Sequence, residues 1–327
     1  MNSPVSSMTG YAVYGKHVSS NYPLPLPAVG NSASPEITLS FEGVVPRYTD
    51  PSTLTTARTW KQTDEGFELC FYNREGHTIV FRYNQSGTYI RLSQTWPQWS
   101  DSLFSILNPG LAASLFLQGE YLLHASSMVT GGTAFLIAGE SGAGKSSLSG
   151  ALAAEGVATH SDDIAVIGKE DDRLFVQAGY PRIKMHPETA RVVGLPAEQM
   201  IPISSRENEE GERWFKSEDL PGGSHPHKAP LGGICILSER NPELKEPHIQ
   251  QLSSAAAAIE LATHRYGRDW LEYPNRQVLE HSALLAASVP VYRLNLPDDT
   301  ELLKSSARSV MRACMQPATP SVTASSS

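Results

Sequence analysis

Cysteine is scarce in this chain: Cys70, Cys235 and Cys314 are the three among 327 residues, odd in number and far apart. That usage suits a reducing compartment and excludes a disulfide framework or a cysteine-based zinc site. A basic excess is also missing. Lys and Arg number 26 against 34 Asp and Glu, for a net charge of −8. The chain therefore carries no electrostatic footprint for DNA or RNA, and an anionic membrane surface is a poor partner. No stretch is long and apolar enough to span a bilayer. The opening Met1-Asn2-Ser3-Pro4-Val5-Ser6-Ser7 lacks the basic and apolar regions of a signal peptide. The expectation is a cytoplasmic protein whose partners include neither nucleic acid nor membrane. No internal repeat is present. What remains is globular, 40% hydrophobic and 18% charged, in a chain long enough for two domains of ordinary size.

Against that background one segment stands out. Gly139-Glu140-Ser141-Gly142-Ala143-Gly144-Lys145-Ser146 spells G-x-x-x-x-G-K-[ST], the phosphate-binding loop. The β-prone run Thr133–Ala138 precedes it, and a helix start follows from Ser147. Such a loop turns successive backbone N–H groups toward one point at the positive end of a helix and so cradles an anion. Its glycines let the backbone approach the phosphates. Lys145 can reach the β- and γ-phosphates, and the Ser146 hydroxyl can ligate Mg²⁺ or Mn²⁺. The segment from Gly139 to Ser147 is read as an ATP site.

Around the loop, two compositions alternate. Residues 8–100 read as a small antiparallel β-rich region, with strands at Glu36–Phe41, Phe67–Tyr72 and Thr78–Tyr83 between turns at Gly30-Asn31, Asn73–Gly76 and Asn84–Gly87. Residues 101–315 read as the phosphate-loop domain. Within it, Leu103–Leu117 is helical but broken at Asn108-Pro109-Gly110. Glu120–Val129 forms one strand that leads by a turn at Gly131-Gly132 into the strand before the loop, which places His124 near the phosphates. Further strands are expected near residues 157–167, 174–178, 181–185, 231–237 and 289–294. Helices are expected near 188–193, 255–265 and 280–288. Residues 203–230 are polar and turn-rich and are expected as a long mobile loop. Residues 316–327 hold almost no core residues and are expected as a disordered tail.

Phosphoryl transfer needs a phosphate cradle, a metal, and something to orient the nucleophile. Asp162-Asp163 follows the loop's helix at a strand, where an acidic partner belongs. One carboxylate can hold the metal directly or through water, and the other can take the acceptor's proton. Adjacent strand residues point to opposite faces, so both serve only where the backbone turns. His124 is the histidine that spacing favours; His160, next to Ser161-Asp162, is a second titrating neighbour. His225 and His227 form neither a metal pair nor a catalytic pair. Trp214 and Phe215 read as a satellite hydrophobic contact.

Three segments together resemble the catalytic domain of bacterial HPr kinase/phosphorylase: Leu123-His124-Ala125-Ser126, Gly139–Ser147 and Ser161-Asp162-Asp163. Lys145 lies 21 residues after His124, and Asp163 lies 18 after Lys145; both spacings equal those of the family. The resemblance covers roughly residues 120–200 and implies an α/β fold. That fold is a phosphate-loop nucleotide-binding domain of the HPr kinase and phosphoenolpyruvate carboxykinase type, here behind a smaller β-rich region. It implies that Asp163 is the base that takes a serine proton, that His124 and Lys145 are active-site residues, and that Ser146 is a Mg²⁺ ligand. Asp162 is a second candidate ligand.

Departures accompany the resemblance. The family's Glu-Ile-Arg-Gly segment is absent. In its place Arg182 or Lys184 offers positive charge and Glu188 a replacement ligand. The opening Tyr11–Gly15 and Tyr22–Leu26 resemble instead divergent HPr-kinase-like proteins, some of which phosphorylate a serine of a lasso-peptide precursor.

The expected activity is therefore ATP-dependent serine phosphorylation of a protein or peptide, with a homo-oligomer left open. Two alternatives are a nucleotide-binding regulatory protein without transfer activity and a small-molecule kinase. The latter is disfavoured because no Arg/Lys cluster can be read along the chain.

Overall fold

The computed structural model describes residues 7–31, 34–44, 58–72, 78–95, 103, 106–180, 182–202 and 211–315. The expected tail at 316–327, the turn at Asn73–Gly76 and residues 203–210 of the expected loop lie outside the described residues.

The first half builds an eight-stranded sheet from β1 (Thr9–Val13), β2 (Lys16–Ser20), β3 (Ala28–Val29), β4 (Ile37–Val44), β5 (Arg58–Thr63), β6 (Gly66–Tyr72), β7 (Thr78–Asn84) and β8 (Tyr89–Gln94). Their spatial order is β3-β1-β2-β4-β8-β7-β6-β5. Alternation marks the strands correctly but not their partners. β2 pairs with β4, and β4 with β8, in parallel, so the sheet is mixed rather than antiparallel. Parallel neighbours need crossovers that no local pattern announces. The core of this sheet, with Val18, Leu39, Phe81 and Leu92, continues into Ile106, Leu107, Leu122, Ile164 and Tyr266. The two halves of the chain thus share one interior.

A π-turn, Ile106–Gly110, runs directly into α1 (Leu111–Leu117). Asn108-Pro109-Gly110 therefore changes the pitch of the backbone instead of separating two helices.

The central sheet follows: β9 (Tyr121–Leu123), β10 (Ala125–Thr130), β11 (Thr133–Gly139), β12 (Ala158–Ser161), β13 (Ala165–Glu170) and β14 (Arg173–Val176), with α2 (Lys145–Ala154) between β11 and β12. Beside these, β15 (Arg182–Met185), β16 (Ile201–Pro202) and β17 (Arg213–Lys216) form a small sheet, with α3 (Pro187–Val192) packed nearby. Proline at the first helical position suits α3, because that N–H has no intrahelical partner. β17 and the turn Ser217–Asp219 occupy ground expected to be loop. Trp214 and Phe215 are buried there, and their burial explains the strand in an otherwise polar stretch.

The remaining elements are β18 (Ala229–Leu237), β19 (His248–Gln251), α4 (Ser254–Thr263), α5 (Asn275–Ser288), β20 (Val291–Asn295) and α6 (Leu303–Cys314). β18 is the spine: it pairs in parallel with β11 and β20 and, at its start, antiparallel with β14. Leu303, Ala307, Val310 and Cys314 make one apolar stripe on α6, packed with Leu148 and Leu152 of α2 on one face of the sheet. Ala257 and Leu261 of α4 and Leu285 of α5 cover the other. Among the described residues the result is a mixed α/β arrangement with three sheets, the central one between helical layers. Among the described residues no helix is long and apolar enough to cross a membrane.

Candidate active site

At the end of β11 the chain enters the loop, and α2 starts at Lys145 with Gly144 as its N-terminal cap. Gly142 and Gly144 hold φ values of +82° and +98°, a region that favours glycine. Gly144 also lacks room. A Cβ there would lie 2.6 Å from Nη2 of Arg240. No side chain caps α2, so the first N–H groups of the helix, with its positive dipole end, are left for an anion. Ala143 turns inward onto the core. The other residues from Gly139 to Ser147 line a cavity of about 750 Å³. Lys145 is largely buried, and its Nζ donates to the carbonyls of Gly139 at 2.8 Å and Glu140 at 3.1 Å. Burial pushes its pKa down, against the pull of Asp163, Asp162 and Glu140.

The two aspartates separate in role at a break between strands. β12 ends at Ser161, β13 restarts at Ala165, and Asp163 adopts φ +66°. The Ile164 N–H donates to the Asp162 carbonyl at 2.9 Å, which closes a tight turn around Asp163. That turn sends the two side chains apart. Asp162 is buried, and its Oδ1 accepts from Ser126 Oγ at 2.8 Å and from the Asp163 N–H at 3.1 Å. Its Oδ2 accepts from the Lys184 N–H at 2.9 Å. Burial, then the charge of Asp163, raises its pKa to about 7. Asp163 instead lines the cavity, with Lys184 Nζ 3.7 Å and Asn108 Nδ2 3.4 Å from its Oδ2.

His124 falls between β9 and β10. The expected single strand changes partner there: β9 pairs with β13, and β10 with β11 and β12. The His124 N–H is taken by the carbonyl of His264 at 2.7 Å, and its ring meets Tyr266 edge-on. Burial, followed by the charge of Lys145, lowers its pKa to about 4, so the imidazole is neutral at ordinary pH.

The opposite wall comes from Thr263–Trp270, with Phe71, Pro109, Lys184 and Glu212. The guanidinium of Arg268 forks onto Glu140 of the loop at 2.8 and 2.9 Å. Burial opposes the charge on Lys184, yet Asp163 and Glu212 outweigh it and raise its pKa. Lys145, Lys184, Arg265 and Arg268 thus meet at one cavity, although no Arg/Lys cluster is visible along the sequence. Folding assembles it from three separate segments. His264-Arg265-Tyr266-Gly267-Arg268-Asp269-Trp270 is dense in charge and aromatic rings, and that density was the available signal. Asn108 gave none.

Other expected residues lie elsewhere. Arg182 stacks over Tyr180 and Trp214, 5.3 and 5.4 Å from the ring centres. Glu188 is exposed in the first turn of α3 and lines a separate cavity with Arg191, Glu198 and Arg213, so it is not brought to Ser146. His160 is buried, bonded to Ser127 Oγ at 3.0 Å and to the His227 carbonyl at 2.9 Å.

The donors at the cavity decide which metal it can hold. Ser146 sits on the cavity wall and fits a Mg²⁺ held mainly by nucleotide phosphates. Asp162 is buried beside the cavity and does not line it; its Oδ1 accepts two hydrogen bonds and its Oδ2 one, which leaves an Oδ2 lone pair as its means of reaching a metal. Among the described residues no group of three or more His, Cys, Asp or Glu side chains is placed to hold a metal.

No family model matches this chain, and no curated protein matches it. Among solved structures, the HPr(Ser) kinase/phosphatase from Coxiella burnetii is similar at 16% identity, over 59% of this chain and 97% of that one, with a TM-score of 0.31. The likeness is a distant one of structure alone.

Proposed function

We propose that this protein is an ATP-dependent kinase that transfers the γ-phosphoryl group to a serine hydroxyl of a protein or peptide. The observation that carries the reading is Asp163: a carboxylate set on a left-handed turn, facing the same cavity as the phosphate loop. In this reading the loop N–H groups and Lys145 bind the ATP phosphates. Mg²⁺, held by Ser146 and the phosphates, supplies charge neutralisation when bound. Asp163 orients the acceptor hydroxyl and takes its proton as the oxygen bonds to the γ-phosphorus. The bond to the bridging oxygen breaks and ADP leaves. Neutral His124 offers a hydrogen bond at the reacting groups without adding charge, and Lys184 balances the phosphoryl oxygens. The residue pattern shared with HPr kinase/phosphorylase supports serine as acceptor. The four cations of the cavity are compatible with an anionic small-molecule acceptor too, but Arg268 is already paired with Glu140.

The test is Asp163→Asn, which keeps shape and loses basicity. Transfer to serine peptides, read by mass spectrometry, should drop by roughly 10²–10⁴, while calorimetry finds ATP affinity within a few-fold of wild type. Wild-type transfer by the variant would remove Asp163 as the base.

A further inference from the structure

We propose that Asn108 is the positioning residue of Asp163, which makes the first sheet and its π-turn part of the catalytic site. The inference rests on the kinase reading above. All five residues of the π-turn Ile106–Gly110 are buried, and π-turns are rare and occur often at functional sites. The turn is anchored from β7: Tyr83 Oη donates to the Gly110 carbonyl at 3.0 Å, and a Cβ on Gly110 would meet Phe81 Cε1 at 2.5 Å. Pro109, inside the turn, has no N–H to give and faces the cavity.

From that base Asn108, 5% exposed, reaches across 55 residues of sequence to Asp163. Its Nδ2 is the donor, because the carboxylate accepts. Its Oδ1 is buried without a hydrogen-bond partner among the described residues. A side chain kept only to fill space would not bury an unpaired amide oxygen, which costs free energy an apolar residue avoids.

A residue of the first sheet's edge lies across Gly179 from Ser161, the residue before the aspartate turn. Tyr14, at the tip between β1 and β2, adopts φ +55° and donates its N–H to the Ala178 carbonyl at 2.7 Å. Its ring lies against Gly179: a Cβ there would be 2.7 Å from Tyr14 Cε1 and 2.4 Å from Ser161 Cβ. Two segments of the first half, one carrying Tyr14 and one carrying Asn108, therefore approach the aspartate turn. Of these, Asn108 touches the carboxylate. Reaction rates fall steeply when a reacting group is misplaced by about 1 Å, and Asp163 Oδ2 has Lys184 at 3.7 Å as its other fixed neighbour.

The experiment measures Mg·ATP turnover, with a mixture of serine peptides as acceptor, in Asn108→Ala and Asn108→Ser. The two leave similar space, and Ser alone keeps a donor. The expected result is a kcat lower by roughly 10–100-fold for Ala, a smaller loss for Ser, and a KM for ATP within about two-fold in both. Asn108→Asp, the same shape with no donor and an added negative charge, should be worse than Ala. Placed in Asp163→Asn, Asn108→Ala should cost nothing further, since it acts through Asp163. Equal kcat for Ala, Ser and wild type, or an undiminished loss in the Asp163→Asn background, would overturn the proposal. Those results leave the kinase reading standing if Asp163→Asn alone is inactive. A fully active Asp163→Asn, or a wild type with no turnover, overturns both.

Discussion

The two walls of the cavity are built in opposite ways. One wall is a single run, Gly139–Ser147 with Ala143 turned away from the cavity, which offers backbone N–H groups and one lysine. The other is gathered from Phe71, Pro109, Lys184, Glu212 and the run Thr263–Trp270. Binding a phosphate chain is a backbone task, which a short loop at a helix start performs by itself. Orienting an acceptor needs side chains at fixed distances from the reacting atoms, and these come from whichever elements the fold brings close. In the proposed reading the first wall governs nucleotide binding, and the second governs what is done with the nucleotide.

Breaking the first wall should have the largest effect. Lys145→Ala removes the cationic side chain of the loop, and ATP turnover should fall by roughly 10²–10³ or more, with circular dichroism unchanged. Turnover at the wild-type rate in that variant would remove the phosphate-loop reading. Ser146→Ala leaves the N–H cradle intact and should instead raise the Mg²⁺ concentration needed for half-maximal turnover. Removal of the metal with excess EDTA should abolish transfer in the wild type.

Why one wall is visible in sequence and the other is not has a physical basis. The loop is local: strand, glycines, lysine and helix follow one another, and their spacing carries the geometry. Helix α6 is equally local, and Leu303, Ala307, Val310 and Cys314 at helical spacing carry its signal in the sequence although no helix is expected there above. The break at His124 is different. Glu120–Val129 reads as one strand because every residue suits a strand, and the change of partner depends on β13 and β11, which lie farther along. The parallel pairs in the first sheet were hidden for the same reason. Asn108 is the extreme case. Asn-Pro-Gly signals a turn, and nothing in those three residues points to an aspartate 55 positions away. Among the aspartates, the need for a backbone turn followed from alternation, but which of the two would face the cavity did not.

The seam between the halves should be sensitive to volume. Gly179 sits where any Cβ would approach Ser161 Cβ to 2.4 Å and Tyr14 Cε1 to 2.7 Å. Both neighbours are buried, so neither can swing aside. Gly179→Ala should cost about 1–3 kcal/mol, read as a lower midpoint in urea. Because the strain falls beside the Asp162-Asp163 turn, kcat should decline in the folded protein as well. A neutral result on both counts would mean that the two halves are less tightly joined than their shared core indicates.

The smallest effect is expected where the walls touch directly. Arg268 forks onto Glu140 at 2.8 and 2.9 Å, and its Nη1 also donates to the Thr263 carbonyl at 2.8 Å. The geometry is good, but both side chains are open to solvent, 36% exposed for Arg268 and 60% for Glu140. Water screens such a pair, and the ordering of two long side chains offsets much of the attraction. A double-mutant cycle with Glu140→Gln and Arg268→Gln should therefore give a coupling of roughly 0.2–1 kcal/mol in nucleotide affinity, and raised salt should shrink it further. Such a value keeps the comparison intact: the loop binds phosphate by itself, and the bridge to the opposite wall is a minor addition. A coupling above about 2 kcal/mol, well beyond what exposed pairs supply, would break it. Glu140 and Arg268 would then act as one closed clasp over the nucleotide, and binding would belong to both walls.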